Sequence, residues 1–161
     1  MNSEQAFAEA VTTITARIAG RNLDGELQDF LNQSFPPGGE AFDDLAELCR
    51  RGIDEGWLCQ NEQGGIKFGR AIRHGPDTHG FSVDVVLMND IVGPYHGHPN
   101  GEIDMIIPES PGARFDGHGQ GWMVYEPESE HYPTVTQGKA IVLYLLPQGE
   151  IDFRRRPPRP S

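Results

Sequence analysis

Positive charge is what this chain of 161 residues has least of. Its 13 Lys and Arg stand against 24 Asp and Glu, giving a formal net charge of −11 at pH 7. A surface of that sign repels phosphate backbones and anionic headgroups, so nucleic acid and acidic membrane are excluded as partners, and no DNA-reading helix is evident. Long apolar runs are missing too: none approaches the roughly twenty residues of a membrane-spanning helix. The start Met1-Asn2-Ser3-Glu4-Gln5 lacks the basic first segment and apolar middle of a secretion signal, so the expected location is the cytoplasm. Cysteine is scarce. Cys49 and Cys59 stand ten apart, outside any C-x-x-C motif, and are read as reduced and structural. There is no G-x-G-x-x-G dinucleotide turn and no internal repeat.

What is present divides at one change of hydrophobic period. Phe7, Ala10, Val11, Ile14 and Ile18 recur at helical spacing, with Ser3 placed to cap the helix and Gly20 to end it. Leu23, Leu27, Phe30 and Leu31 predict a second helix, stopped by Phe35-Pro36-Pro37-Gly38-Gly39. Phe42, Leu45, Leu48, Cys49, Ile53 and Trp57 form the apolar stripe of a third, with its charged residues largely off that stripe. From Gly64 onward the pattern becomes a series of short strands, at 66–73, 81–88, 95–98, 102–107, 121–125, 134–135, 140–146 and 151–153, separated by Gly, Pro, Asn and Asp. Strands this short and this many indicate an antiparallel sandwich or barrel. The expected organisation is α+β: a helical segment over 1–62, a β-barrel over 63–153 and a basic, proline-rich tail over 154–161, read as a solvated end.

The chemistry concentrates in Tyr95-His96-Gly97-His98-Pro99-Asn100-Gly101-Glu102, followed by His131. Two imidazoles two apart lie on one side of an extended strand, and a Pro-Asn-Gly turn brings a carboxylate back to them. Three neutral nitrogens and one oxygen suit a divalent ion, with Zn, Fe, Mn, Ni and Cu all open, and leave positions for water or substrate. Along 66–73, alternation puts Arg70 on the face of Ile66, Phe68 and Ile72, so its guanidinium points inward and needs an anion. An internal acid and a bound carboxylate both satisfy that need. Arg114, in a glycine-rich loop, is a second candidate.

Taken together, these residues resemble the cupin superfamily of small β-barrels. Its first motif, His-x-His then Glu, fits His96, His98 and Glu102; its second, from Gly through Pro to His, fits Gly121, Pro127 and His131. Gly93 and Gly112 stand off the usual glycine positions, and Ser129 and Val135 replace the usual Gly and Asn. Within that superfamily, helices followed by G-P-Y-H-G-H-P-N-G-E-I-D-M-I-I-P look like the 4-hydroxylaminobenzoate lyase family. The resemblance implies a cupin-like antiparallel barrel packed under N-terminal helices, and conversion of 4-hydroxylaminobenzoate to 3,4-dihydroxybenzoate with release of ammonia. It also implies a small aromatic carboxylate as partner and a divalent metal on His96, His98, Glu102 and His131. That conversion changes no net oxidation level, so no nicotinamide or flavin is required. Glu102, Glu130 and Tyr132 are the candidate catalytic groups, and Arg70, Arg114 and Tyr95 the candidate substrate-binding ones. A metal-dependent cupin dioxygenase or isomerase, a non-catalytic sensor, and assembly as a homo-oligomer stay open.

Overall fold

The computed structural model describes residues 1–159. Three helices come first. In α1 (Ser3–Ile18) the cap is Asn2, one residue before the expected Ser3: its side chain accepts from Gln5 N at 2.8 Å while Asn2 N donates to Gln5 Oε1 at 3.1 Å, a reciprocal capping box. Asp24 caps α2 (Gly25–Ser34) by accepting from Leu27 N at 3.0 Å. In α3 (Glu40–Glu55) the buried stripe is Phe42, Leu45, Ala46 and Cys49, and Gly56 ends the helix at φ 87°, a left-handed conformation that a side chain would strain. Trp57 lies just past that end, its ring 5.4 Å from Phe7.

Nine strands follow: β1 (Asn61–Gln63), β2 (Ile66–Ile72), β3 (Phe81–Val92), β4 (His96–His98), β5 (Glu102–Pro108), β6 (Arg114–Phe115), β7 (Gly121–Tyr125), β8 (Ser129–His131) and β9 (Thr134–Pro147). The large sheet runs β1-β2-β3-β9-β5-β7, with β6 on the far part of β9, and β4 and β8 make a second sheet of two strands. The strand pairs are antiparallel. This is the expected α+β arrangement of helices on a cupin-like barrel, with the difference that the sheets do not close into one continuous ring.

Side-chain alternation gives the large sheet two buried faces. Val83, Val85, Ile103, Met105, Ile141, Leu143 and Leu145 share one core with Phe7, Val11, Ile14, Leu27 and Leu45 of the helices. Met88, Ile106, Ala140, Val142 and Tyr144 face the other way and pack with Phe115 and Val135 inside the barrel. Residues 102–107 of β5 are therefore all buried and read as a continuous apolar run apart from Glu102 and Asp104.

Several expectations need revision. The two strands expected at 134–135 and 140–146 are one, bent where Gln137 and Gly138 take φ of 65° and 114° opposite a register shift between Asn89 and Ile91. A second bulge, between Arg70 and Ile72, turns Ile72 to the helix side, away from Phe68 and Arg70. The strand expected at 151–153 reduces to one bridge, from Asp152 to Gly97. The tail is not simply solvated: Arg155 pairs with Glu128, Glu130 and Asp152, while the last two positions of the expected tail, Pro160 and Ser161, lie outside the described residues.

Candidate metal centre and its cavity

Two elements supply the imidazoles. In the small sheet His96 stands directly opposite His131 and His98 opposite Ser129, so alternation turns His96, His98 and His131 to one side and Gly97 and Glu130 to the other. The Pro99-Asn100-Gly101 turn follows. Gly101 N donates to His98 O at 3.1 Å, and at φ 87° a Cβ on Gly101 would lie 2.7 Å from Tyr125 O, so glycine is required. This turn is not the hairpin its sequence suggests. β4 pairs with β8 whereas β5 pairs with β7 and β9, so the turn carries the chain from the small sheet to the large one, and Glu102 comes from the opposite wall.

One ligand atom from each of His96, His98, Glu102 and His131 falls within 4.8 Å of the others. His96 Nε2 is 2.9 Å from His98 Nε2 and 3.1 Å from His131 Nε2, and Glu102 Oε2 is 3.3 Å from His98 Nε2. The remaining ring nitrogens are anchored. His96 Nδ1 donates to Pro94 O at 3.1 Å, His131 Nδ1 donates to Asp116 Oδ2 at 2.6 Å, and His98 Nδ1 is 2.8 Å from Ser129 Oγ. With the proton of His96 and His131 on Nδ1, both Nε2 atoms present lone pairs to each other, an arrangement that repels unless a cation lies between them.

Both oxygens of Glu102 are fully buried and make no hydrogen bond, a desolvation cost of several kcal/mol for an ionised carboxylate that an ion would offset. Nitrogens about 2.1 Å from one ion and about 90° apart lie about 3.0 Å from each other, close to both Nε2 separations. On these observations the donor set fits a divalent metal.

The electrostatics of the pocket follow from burial. Burial, with two further imidazoles beside it, pushes His96 down to about 4 despite the charge of Glu102, so the ring is neutral and available as a ligand. Burial is the largest influence on Glu102 and works against its charge, but His98, Asp104 and His96 together outweigh it and hold the carboxyl low. Asp104, two residues on and on the same face, goes the other way: burial and then the charge of Glu102 raise it well above the carboxylate range. Asp116 is held low because its hydrogen bonds with His131 and Tyr125 overcome burial, and Thr134 N donates to its Oδ1 at 2.8 Å.

The other residues singled out from sequence are not brought to this cluster. Glu130 and Tyr132 flank His131 and alternate away from it; Glu130 accepts from the Tyr95 hydroxyl at 2.7 Å and from Arg155, and Tyr132 is 48% exposed against the Tyr95 ring. Glu130, Tyr132 and Tyr95 therefore form an outer surface group. Arg114 is exposed and donates to Gly117 O at 3.1 Å, while its neighbour Phe115 is the residue turned inward. Arg70 does line the interior face with Ile66 and Phe68, but at the rim, where it forks onto Asp84 at 2.8 and 3.2 Å. The internal acid left open by the sequence is thus Asp84. Asp104 and Asp116 were missed. Alternation from Glu102 was the available signal for Asp104; Asp116 sits in an irregular loop where no periodicity marks it.

Beside the cluster is a cavity of about 710 Å³, lined by His96 and Tyr144, with Phe68, Val86, Met88 and Phe153 among its apolar walls. Arg70 is the one cationic side chain among its described lining residues.

The family model described as PnbB, 4-hydroxylaminobenzoate lyase, matches residues 9–153. A 4-hydroxylaminobenzoate lyase of Nocardioides sp. (strain LMS-CY) is 32% identical over 167 residues, covering 98% of this chain and 99% of that one. Its counterpart from Pseudomonas putida is 29% identical, covering 95% and 97%. Among solved structures, oxalate oxidase in complex with glycolate aligns over 58% of this chain and 57% of that one at 18% identity and a TM-score of 0.45, a likeness too slight to bear on chemistry. With the family matched over most of its length and a relative above 30% identity aligned nearly end to end, this chain belongs to the 4-hydroxylaminobenzoate lyase family.

Proposed function

We propose that the protein converts 4-hydroxylaminobenzoate and water to 3,4-dihydroxybenzoate and ammonia, in the cytoplasm, as a step of nitroaromatic breakdown. The observation that carries this reading is a His3Glu cluster with an orphaned buried carboxylate, placed at an apolar cavity with a cationic rim. The atoms balance with one water consumed. The N-bound hydroxyl leaves as water, one water adds to the ring carbon beside the nitrogen-bearing one, and a second hydrolyses the resulting imine to release ammonia, so two waters enter and one departs.

The chain's own residues divide the work. Phe68, Val86 and Met88 enclose the ring and exclude water from it. Arg70, whose Nη1 donates no hydrogen bond among the described residues, offers donors to the substrate carboxylate, with Asp84 fixing the guanidinium plane. Tyr144 lines the cavity with a phenol kept protonated by burial and then by the charges of Glu102, Asp104 and Asp116, which makes its hydroxyl a donor toward the departing oxygen. A divalent ion held by His96, His98, Glu102 and His131 would supply Lewis-acid polarisation or an activated water; Zn, Fe, Mn, Ni and Cu all accept this donor set.

Incubating the purified protein with 4-hydroxylaminobenzoate under argon tests the reading. Equimolar ammonia and 3,4-dihydroxybenzoate are expected. A product that forms only in oxygen would make the protein a dioxygenase, and binding without product would make it a sensor.

A further inference from the structure

The segment that follows β9 runs beside the cavity and contributes Ile151 and Phe153 to its lining. Gly97 and Asp152 exchange two backbone hydrogen bonds, at 2.8 and 2.9 Å, which ties residues 151–153 to the outer side of β4. Arg155 then reaches three carboxylates, Glu130 at 2.8 Å, Glu128 at 2.9 Å and Asp152 at 3.2 Å, and its stem lies over Gly97 so closely that a Cβ there would be 3.1 Å from its Cγ. The glycine between the two histidines thus makes room for Arg155. Between these two anchors stands Phe153. Its ring packs 5.3 Å from that of His96 and lines the cavity, yet 58% of the residue remains exposed. A large aromatic side chain held between two anchors beside a metal-ligand candidate, lining the cavity with most of its area uncovered, offers ring surface that a bound ligand can cover.

We propose that Phe153 is a substrate-binding residue that presents an aromatic face to the substrate ring, and that Arg155 is the positioning residue that holds it there. The inference rests on the aryl-substrate reading above and names a wall of that site. An aromatic face favours a planar ring over a saturated one of similar size, through offset or edge contacts unavailable to an aliphatic ligand. It contributes to ground state and transition state alike, so its loss appears chiefly in KM.

The test is equilibrium binding of two unreactive acids, 4-nitrobenzoate and cyclohexanecarboxylate, to the full chain and to Phe153→Ala, Phe153→Tyr and Arg155→Gln. Phe153→Ala is expected to weaken 4-nitrobenzoate binding about tenfold while leaving cyclohexanecarboxylate nearly unchanged, and to raise KM for 4-hydroxylaminobenzoate with kcat little altered. Phe153→Tyr should restore the ring preference. Arg155→Gln should lose part of it and show faster amide exchange over residues 151–155. Equal affinity of wild type and Phe153→Ala for 4-nitrobenzoate, or no binding of it by wild type, would overturn the proposal. Loss of ring preference in Phe153→Ala alongside a wild type that releases no ammonia would instead sink the lyase reading and leave this wall in place.

Discussion

Glu102 is, with Asp104, one of two fully buried carboxyl groups whose oxygens lack a hydrogen-bond partner among the described residues. It is held ionised. Replacing it with Gln hardly changes its volume but removes the charge, so the variant should bind divalent metal at least about 10–100-fold more weakly and lose turnover accordingly. The metal-free form should lose only the modest stability that the ionised carboxylate gains from its neighbours, so its melting point should fall far less than its metal affinity. Metal titration and thermal melts of the stripped proteins check the two halves separately. Arg70 is a different case, since its side chain is 37% exposed and already shared with Asp84. Arg70→Met should lower the preference for 4-hydroxylaminobenzoate over plain phenylhydroxylamine by about 1–2 kcal/mol, below the range for a fully buried pair. An unchanged ratio of kcat/KM values would assign Arg70 to Asp84 alone.

The elements cooperate most visibly where α2 meets β7. That strand pairs with β5 on one side only, and the backbone groups on its other side are met by helix side chains. Asn32 Nδ2 donates to Trp122 O at 2.9 Å and its Oδ1 accepts from Trp122 N at 2.9 Å, while Gln28 Oε1 accepts from Val124 N at 2.9 Å. The helix thereby covers a sheet edge that would otherwise be open to pairing with another chain. Gly121 belongs to the same contact: at φ 139°, a Cβ there would lie 2.9 Å from Asn32 Oδ1. Asn32→Leu leaves two backbone groups of β7 without partners and is expected to cost about 2–4 kcal/mol in urea unfolding, from about 1–2 kcal/mol for each group stranded. A change under about 0.5 kcal/mol would show that water replaces both bonds.

For the molecule as a whole, the buried cluster makes stability depend on pH through opposing groups. His96 titrates at about 4 in the folded chain against an ordinary value of 6.5, so between those limits the unfolded state binds more protons and stability rises with pH. Asp104 is raised well above its ordinary 3.8, so over part of the same range the folded state holds the extra proton and stability falls with pH. The two contributions oppose each other. Metal-free Asp104→Asn should therefore gain stability from pH 4 to 6.5 more steeply than metal-free wild type, and parallel curves in denaturant titrations across that range would show that the raised Asp104 does not contribute.

The sequence by itself determined the class of the fold and the four side chains that cluster at its candidate site. Helical period in residues 3–57, alternation from Gly64 onward, and the spacing of His96, His98, Glu102 and His131 are local properties, legible because side-chain direction repeats every 3.6 or 2 residues whatever surrounds it. Alternation put Arg70 on the face of Ile66 and Phe68, but it could not show that a bulge turns Ile72 away, that Arg70 ends exposed at the rim, or that Asp84 stands opposite it, because strand pairing joins residues distant in the chain. The same limit hid Asp116 behind His131, misread the Pro99-Asn100-Gly101 turn as a hairpin, and left Glu130 and Tyr132 among the catalytic candidates although they alternate away from His131. Phe153 ends the last strand expected from the sequence and Arg155 lies in the tail, and only the pairing of Asp152 with Gly97 of β4 gives them their neighbours. Register, bulges and strand order decide which local patterns face each other, and those are settled by the packing of the whole chain.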